Sequence, residues 1–358
     1  MPDIRHKTLK PFVECVIPSD PLGHFNLTLV PLRGGGRQRV DYILSAEAIS
    51  AGLLTVAELR GGGSVPELLA INESDKMILL LDGEELVGAK QNRILNTSVL
   101  LPSKSETRIP VSCVEQGRWH HVSRTFRSGS HSPSSLRRRK SKDVSRAYMA
   151  HGRALSDQRA VWQQVVECLC QSGIQSPTMA IHDILEQRRD LLSEYVNAFV
   201  YCEGTRGVIA ATNGMFAAMD LFDNASTLRG VWSPLVTGYA MDALFRPASE
   251  EAARQFTCRG AEILLERLSE IECLAFASVG TGEDWRFETT DILGQALVAG
   301  SVCVHLSAFP NGRGMSDQDP PSSSASPLRR CDGRDDAVSR AYGQGVPSWS
   351  RELDGPVR

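Results

Sequence analysis

Residues 81–96, LDGEELVGAKQNRILN, place Glu84, Glu85, Lys90, Gln91, Asn92 and Arg93 between two apolar runs, MILLL (77–81) and SVLLP (98–102). Paired carboxylates can supply general acid and base. A cation with amide donors can hold an anionic or polar ligand. If the block opens as a strand, Glu84 and Glu85 face opposite ways. One of them then points inward, at a cost unless it is paired, with Lys90 or Arg93 as candidate partners. Gly83 and Gly88 bracket the segment and imply tight turns or close backbone approach. Two readings stay open: a ligand pocket, or a polar rim held by ion pairs.

A second block, SCVEQGRWHH (112–121), carries Cys113, Glu115, Gln116, Arg118, Trp119, His120 and His121. One Cys and two adjacent His lack the spacing of a zinc site, so no metal is expected. Cys113 reads either as a nucleophile or as a buried thiol ending a strand. An Arg fork beside an aromatic face suits a phosphate-and-base ligand or a cation–π pair. Elsewhere the phosphate-loop patterns and the GxSxG elbow are absent. His305, inside VCVHLSAF, reads as a core histidine. The run RRRK (137–140) reads as a solvated loop.

These residues belong to a chain of 358 residues, 42% hydrophobic and 23% charged, with net charge −3. That balance disfavours a globally basic nucleic-acid binder. Nine cysteines, an odd count without CxxC, fit free thiols in a reducing cytoplasm rather than a disulfide framework. No run reaches the length of a membrane span, and the first residues have no signal core. A soluble cytoplasmic protein is expected.

The fold class expected is α+β: an N-terminal, β-rich, sandwich-like layer packed with a mixed helix and strand portion. Short apolar runs with polar turns fill 1–125, with a short helix opening at Ser45. Residues 126–150 read as a Ser/Arg-rich loop. The mixed lobe, 151–310, has helices at 156–173, 176–199, 231–245 and 248–270. It also has a hairpin turning at Asn213-Gly214 and two buried strands at 273–280 and 296–309. Residues 311–358 read as a disordered tail.

LLLDGEELVGAKQNRILNTSVLLP, RIPVSCVEQGRW, WQQVVECL, SPTMAIHDIL, RGVIAATNGMFAAMDLF, WSPLVTGYAMDALF and VHLSAF together resemble, in order, the ARG-and-rhodanese-phosphatase-superfamily-associated protein domain family. The resemblance covers about residues 10–310. It places the family signature on Gly83, Glu84, Glu85, Gly88, Gln91, Asn92 and Arg93, then on Cys113, Glu115, Gly117, Arg118 and Trp119. Weaker matches fall on Gly214, Asp220 and Phe222. GVIAATNG departs from a more Gly-rich family text, which weakens any ligand role for 212–214.

The resemblance implies a small ADP-ribose- or nucleotide-type ligand and a functional partner of ADP-ribosylglycohydrolase type. Three functions follow. One is a binding or accessory protein whose pocket uses Gln91, Asn92, Arg93, Arg118 and Trp119. The second is a hydrolase of a phosphate or glycosidic bond, with Glu84, Glu85 and Glu115 (or Asp220) as acid and base. The third is an assembly module whose polar blocks satisfy one another.

Overall fold

The computed structural model describes residues 5–35, 39–59, 66–118, 120–246 and 256–312. The N-terminal part runs β1 (Arg5–Thr8), α1 (Lys10–Val13), β2 (Val16–Pro18), β3 (Leu22–His24), β4 (Leu27–Gly34), β5 (Tyr42–Leu44), α2 (Ser45–Ser50) and β6 (Leu54–Glu58). Next come β7 (Glu67–Asn72), β8 (Met77–Leu80), β9 (Glu84–Gly88), β10 (Arg93–Leu95), β11 (Val99–Leu101), β12 (Ser105–Cys113) and β13 (Phe126–His131). The helices α3 (Ser134–His151), α4 (Gln158–Ser172), α5 (His182–Gln187) and α6 (Arg189–Ala198) follow. The chain continues with β14 (Thr205–Thr212), β15 (Met215–Phe222), α7 (Ala225–Phe245), α8 (Cys258–Ser269), β16 (Glu272–Ala277), β17 (Glu283–Glu288), β18 (Ile292–Ala299) and β19 (Val302–Pro310).

The class is α+β. One sheet has ten strands in the order β1-β16-β17-β18-β19-β15-β14-β4-β2, with β3 also on β4; the others are β13-β9-β10-β12-β7-β6 and β11-β8-β5. The two smaller sheets enclose one core, including Ile78, Leu80, Leu86, Leu95, Val99 and Ile109, which is the sandwich-like layer. Leu79 and Leu81 instead join the main core beneath α4 to α7. The unbroken run MILLL is therefore apolar because both of its faces are buried.

Two expected boundaries move. The N-terminal lobe does not close at residue 125, because β1 to β4 pair into the large sheet with β14 and β16. Residues 126–150 are not a loop. They form β13 and the 18-residue helix α3, which ends on Gly152 at φ 64°. The run RRRK lies on α3, with Arg137 and Lys140 buried and Arg139 exposed. The apolar content of α3 is low because part of the buried face, Arg137 and Lys140, meets acids, and of its buried residues only Leu136, Val144 and Tyr148 join hydrophobic clusters.

Other departures are local. Residues 176–199 make two helices, α5 and α6; Ser176 caps a turn by accepting Ala180 N–H at 2.7 Å. The stretch 296–309 is a hairpin split at Gly300, not one strand. The expected helix at 156–173 is α4, capped by Asp157 and ended by Gly173, and Asn213-Gly214 turns the β14–β15 hairpin with both φ positive. Of the tail, only Asn311 and Gly312 lie among the described residues.

The acids that meet α3 come from distant strands. Arg137 donates from Nε to Asp82 Oδ2 (3.1 Å) and forks both terminal nitrogens onto Asp220 (2.9 and 2.6 Å). Lys140 Nζ binds Asp82 and the Leu95 carbonyl. Tyr239 donates to Asp220 (2.5 Å). Ser98 Oγ accepts Asp82 N–H (3.0 Å) and gives its proton to His305 Nδ1 (2.7 Å), so His305 Nε2–H donates to Asp220 (2.9 Å). His305 is thus the satisfied core histidine expected.

All these side chains are 1% exposed or less, apart from Ser98 and Tyr239 at 2%. Burial opposes ionisation of Asp220, and Arg137 with His305 outweighs it, holding the carboxyl below its usual range. Burial draws Lys140 down to about 8 against the pull of Asp82. Gly83 makes room: its φ is +78°, and a Cβ there would sit 2.6 Å from Arg137 Cγ.

Two outcomes follow. Arg137→Ala removes the cation shared by two buried carboxylates and lowers unfolding free energy by about 3–5 kcal/mol, read by urea denaturation. His131, whose Nε2–H donates to Asp82 O (2.8 Å), is held neutral by burial and then by Arg137, with its pKa lowered to about 3. Below about pH 6.5 the unfolded chain takes up a proton that folded His131 refuses. Stability therefore falls between about pH 6.5 and pH 3, by at most about 1.4 kcal/mol per pH unit from this group. His131→Gln flattens that acid slope in thermal melts.

Candidate functional site

The two polar blocks meet. β10 pairs with β12, setting Arg93 opposite Cys113. Arg118 forks onto Glu115, Nε to Oε1 at 2.8 Å and Nη2 to Oε2 at 2.6 Å. It also donates to Ala89 O (2.8 Å) and Asn92 Oδ1 (3.0 Å). Glu115 accepts Asn92 N–H (3.0 Å) and the Thr178 hydroxyl (3.0 Å). Burial would raise Glu115, but Arg118 and the Asn92 amide hold it low. Gly88, at φ +138°, closes the turn; a Cβ there would meet Ser123 Oγ at 2.6 Å.

The candidate catalytic carboxylates each have their own hydrogen-bond partners. Glu84 and Glu85 face apart, as alternation requires, but neither pairs with Lys90, Arg93 or Arg118. Glu84 accepts Ser45 Oγ–H (2.5 Å), Ser128 Oγ–H (3.3 Å) and Leu81 N–H (3.1 Å), and burial pushes its pKa up. Glu85 accepts from His182 Nδ1 at 2.8 Å. The acids Glu84, Glu85 and Glu115 therefore share no partner. Gln91, Asn92, Arg93 and Arg118 are also 9% exposed or less. Trp119 lies outside the described residues. Cys113 is fully buried at its strand end, and burial raises its thiol pKa.

The open concavity lies behind Glu85. A cleft of about 700 Å³ runs between β13, the α5–α6 pair and α7. Its walls carry His182, Arg127, Arg189 and Glu186, with Leu185 and Val196 as apolar surface. Arg127 and Arg189 are exposed. Glu85 is 2% exposed; its Oε1 meets no donor, while the Oε2 oxygen fixes His182 Nδ1–H. That bond and charge raise the imidazole pKa above its ordinary value despite burial. The other ring nitrogen is 3.8 Å from Glu186 Oε1, toward the cleft rim. Gly129 permits the close packing, since a Cβ there would fall 2.8 Å from Glu85 Oε2.

Sequence reasoning found Glu85 and missed His182, 97 positions away, and the two arginines. His182 sits in SPTMAIHDIL, a stretch noted for its helical pattern, and nothing local ties it to Glu85. Among the described residues no group of three or more His, Cys, Asp or Glu could hold a metal, and no helix is long and apolar enough to cross a membrane.

The family described as ARG and Rhodanese-Phosphatase-superfamily-associated Protein domain matches residues 17–309, and the chain belongs to it. No curated protein and no solved structure matches.

Glu85→Gln removes the charge that holds the imidazolium. The His182 pKa should then fall, seen as a lowered titration midpoint of its ring protons by NMR. An unmoved midpoint would show that Glu85 does not set it.

Proposed function

We propose that this family member binds a phosphate-bearing, nucleotide-derived ligand of the ADP-ribose kind in the cleft between β13 and helices α5 to α7. The observation that carries the reading is the convergence of Arg127, Arg189 and a carboxylate-oriented His182 on one cleft of about 700 Å³. That volume falls within the range of small-molecule sites. Guanidinium groups suit phosphate oxygens because they offer paired, planar donors. Leu185 and Val196 give an apolar surface for a base or ribose. The ARG of the family's name, read as ADP-ribosylglycohydrolase, points to the same ligand chemistry and to a partner of that type.

A second reading, hydrolysis of such a ligand, draws on the Glu85–His182 pair. Glu85 fixes the Nδ1–H tautomer, so His182 Nε2 can take a proton from an attacking water and return it to the leaving oxygen. This places the acid–base work on His182 rather than on two carboxylates. It keeps Glu85 as its positioning residue.

Titration calorimetry with ADP-ribose, ADP and pyrophosphate tests binding. Arg127→Ala with Arg189→Ala should weaken affinity at least tenfold without changing the melting temperature. Absence of heat with all three at millimolar ligand removes the reading. Product formation lost in His182→Ala, with binding kept, separates hydrolysis from binding alone.

A further inference from the structure

Arg93 is 5% exposed, yet it holds no carboxylate partner among the described residues. Nη1 donates to Gln91 Oε1 (3.1 Å) and at the limit to Asn92 O (3.5 Å). Its buried Nε meets no acceptor. The two carboxylates that act on it from a distance, Glu58 and Glu115, are engaged elsewhere: Glu58 with Lys90 and Glu115 with Arg118. Three cations, Lys90, Arg93 and Arg118, thus face two acids, with His121 also 4.0 Å from Glu58.

A second, weakly matched donor lies alongside. Cys113 is the cross-strand partner of Arg93. The half-buried Trp162 on α4 turns its buried indole N–H toward the same sulfur, a weak acceptor, and meets no oxygen or nitrogen acceptor. Cys113 gives its own S–H to Glu115 O (3.1 Å). The corner therefore gathers an unneutralised guanidinium and an indole donor around a neutral thiol. An uncompensated buried cation is strongly unfavourable, and so is an orphaned buried donor. Both deficits are relieved by one negatively charged group that accepts hydrogen bonds.

We infer that Arg93, Trp162 and Cys113 form a second site, separate from the cleft, which binds a small oxyanion of phosphate or carboxylate type. Arg93 Nε and the Trp162 indole N–H supply the donors, and the Cys113 sulfur marks the floor. The inference does not rest on the ligand proposed for the cleft.

The test measures melting temperature in sodium phosphate, sodium acetate and sodium chloride at equal ionic strength. The protein carries Arg127→Ala and Arg189→Ala, which removes the cleft's arginines. Phosphate or acetate should raise the midpoint by several degrees over chloride by mass action. A rise in phosphate alone identifies a phosphoryl site, and an equal rise in acetate identifies a carboxylate site. Adding Arg93→Met should abolish the rise. In chloride this variant should melt at the same or a higher temperature, because methionine removes an uncompensated charge at similar length.

An anion effect unchanged by Arg93→Met, or absent from the parent, overturns the inference. So does a variant that melts well below the parent in chloride or fails to fold, since Arg93 would then be neutralised within the protein itself.

Discussion

One guanidinium joins the parts of this protein. Arg137 bridges Asp82, at the entry to β9, and Asp220, in the middle of the large sheet, from a helix that belongs to neither strand. Transfer of such charges from water is costly, and their attraction offsets that cost only when geometry and surrounding hydrogen bonds are complete. Here Lys140, Tyr239, His305, Ser98 and the glycine at 83 complete it. A hydrophobic cluster tolerates sliding, whereas this set has one arrangement in which every partner is met. The registers of α3, β9 and β15 are therefore tied to one another.

This constraint recasts the polar block between the two apolar runs. Asp82 reaches down to α3, Glu84 is received by Ser45 and Ser128, and Asn92 joins the Arg118–Glu115 fork. Only Glu85 lies behind the open cleft. Much of the family signature thus specifies how strands approach one another, and the cleft's charge comes from residues outside it. Arg93 stands apart from both groups, because its charge has no internal counterpart.

Local signals in the sequence were informative wherever structure is local. The extent of α4, the Asn213-Gly214 turn, the opposed faces of Glu84 and Glu85 and the α+β class were all legible. The helix α3 was not, because its buried face includes two cations, and the acids that meet Arg137 lie 55 and 83 residues away. Low apolar content normally marks a solvated segment, and RRRK misled for that reason. The Glu85–His182 pair was hidden by the same kind of distance. So was the entry of β1 to β4 into the large sheet, since pairing partners leave no trace in the alternation of a single strand.

The pairing of β4 with β14 also sets a timetable for synthesis. The two strands lie about 170 residues apart in the chain, so at a typical elongation rate β4 waits roughly 10–35 s for its neighbour to be made. During that interval LTLVPL, fully buried in the finished sheet, has only the short β2 and β3 beside it. A nascent chain of this protein thus carries an unfinished apolar sheet edge throughout that interval, and that edge is a place for ribosome-associated chaperones to act.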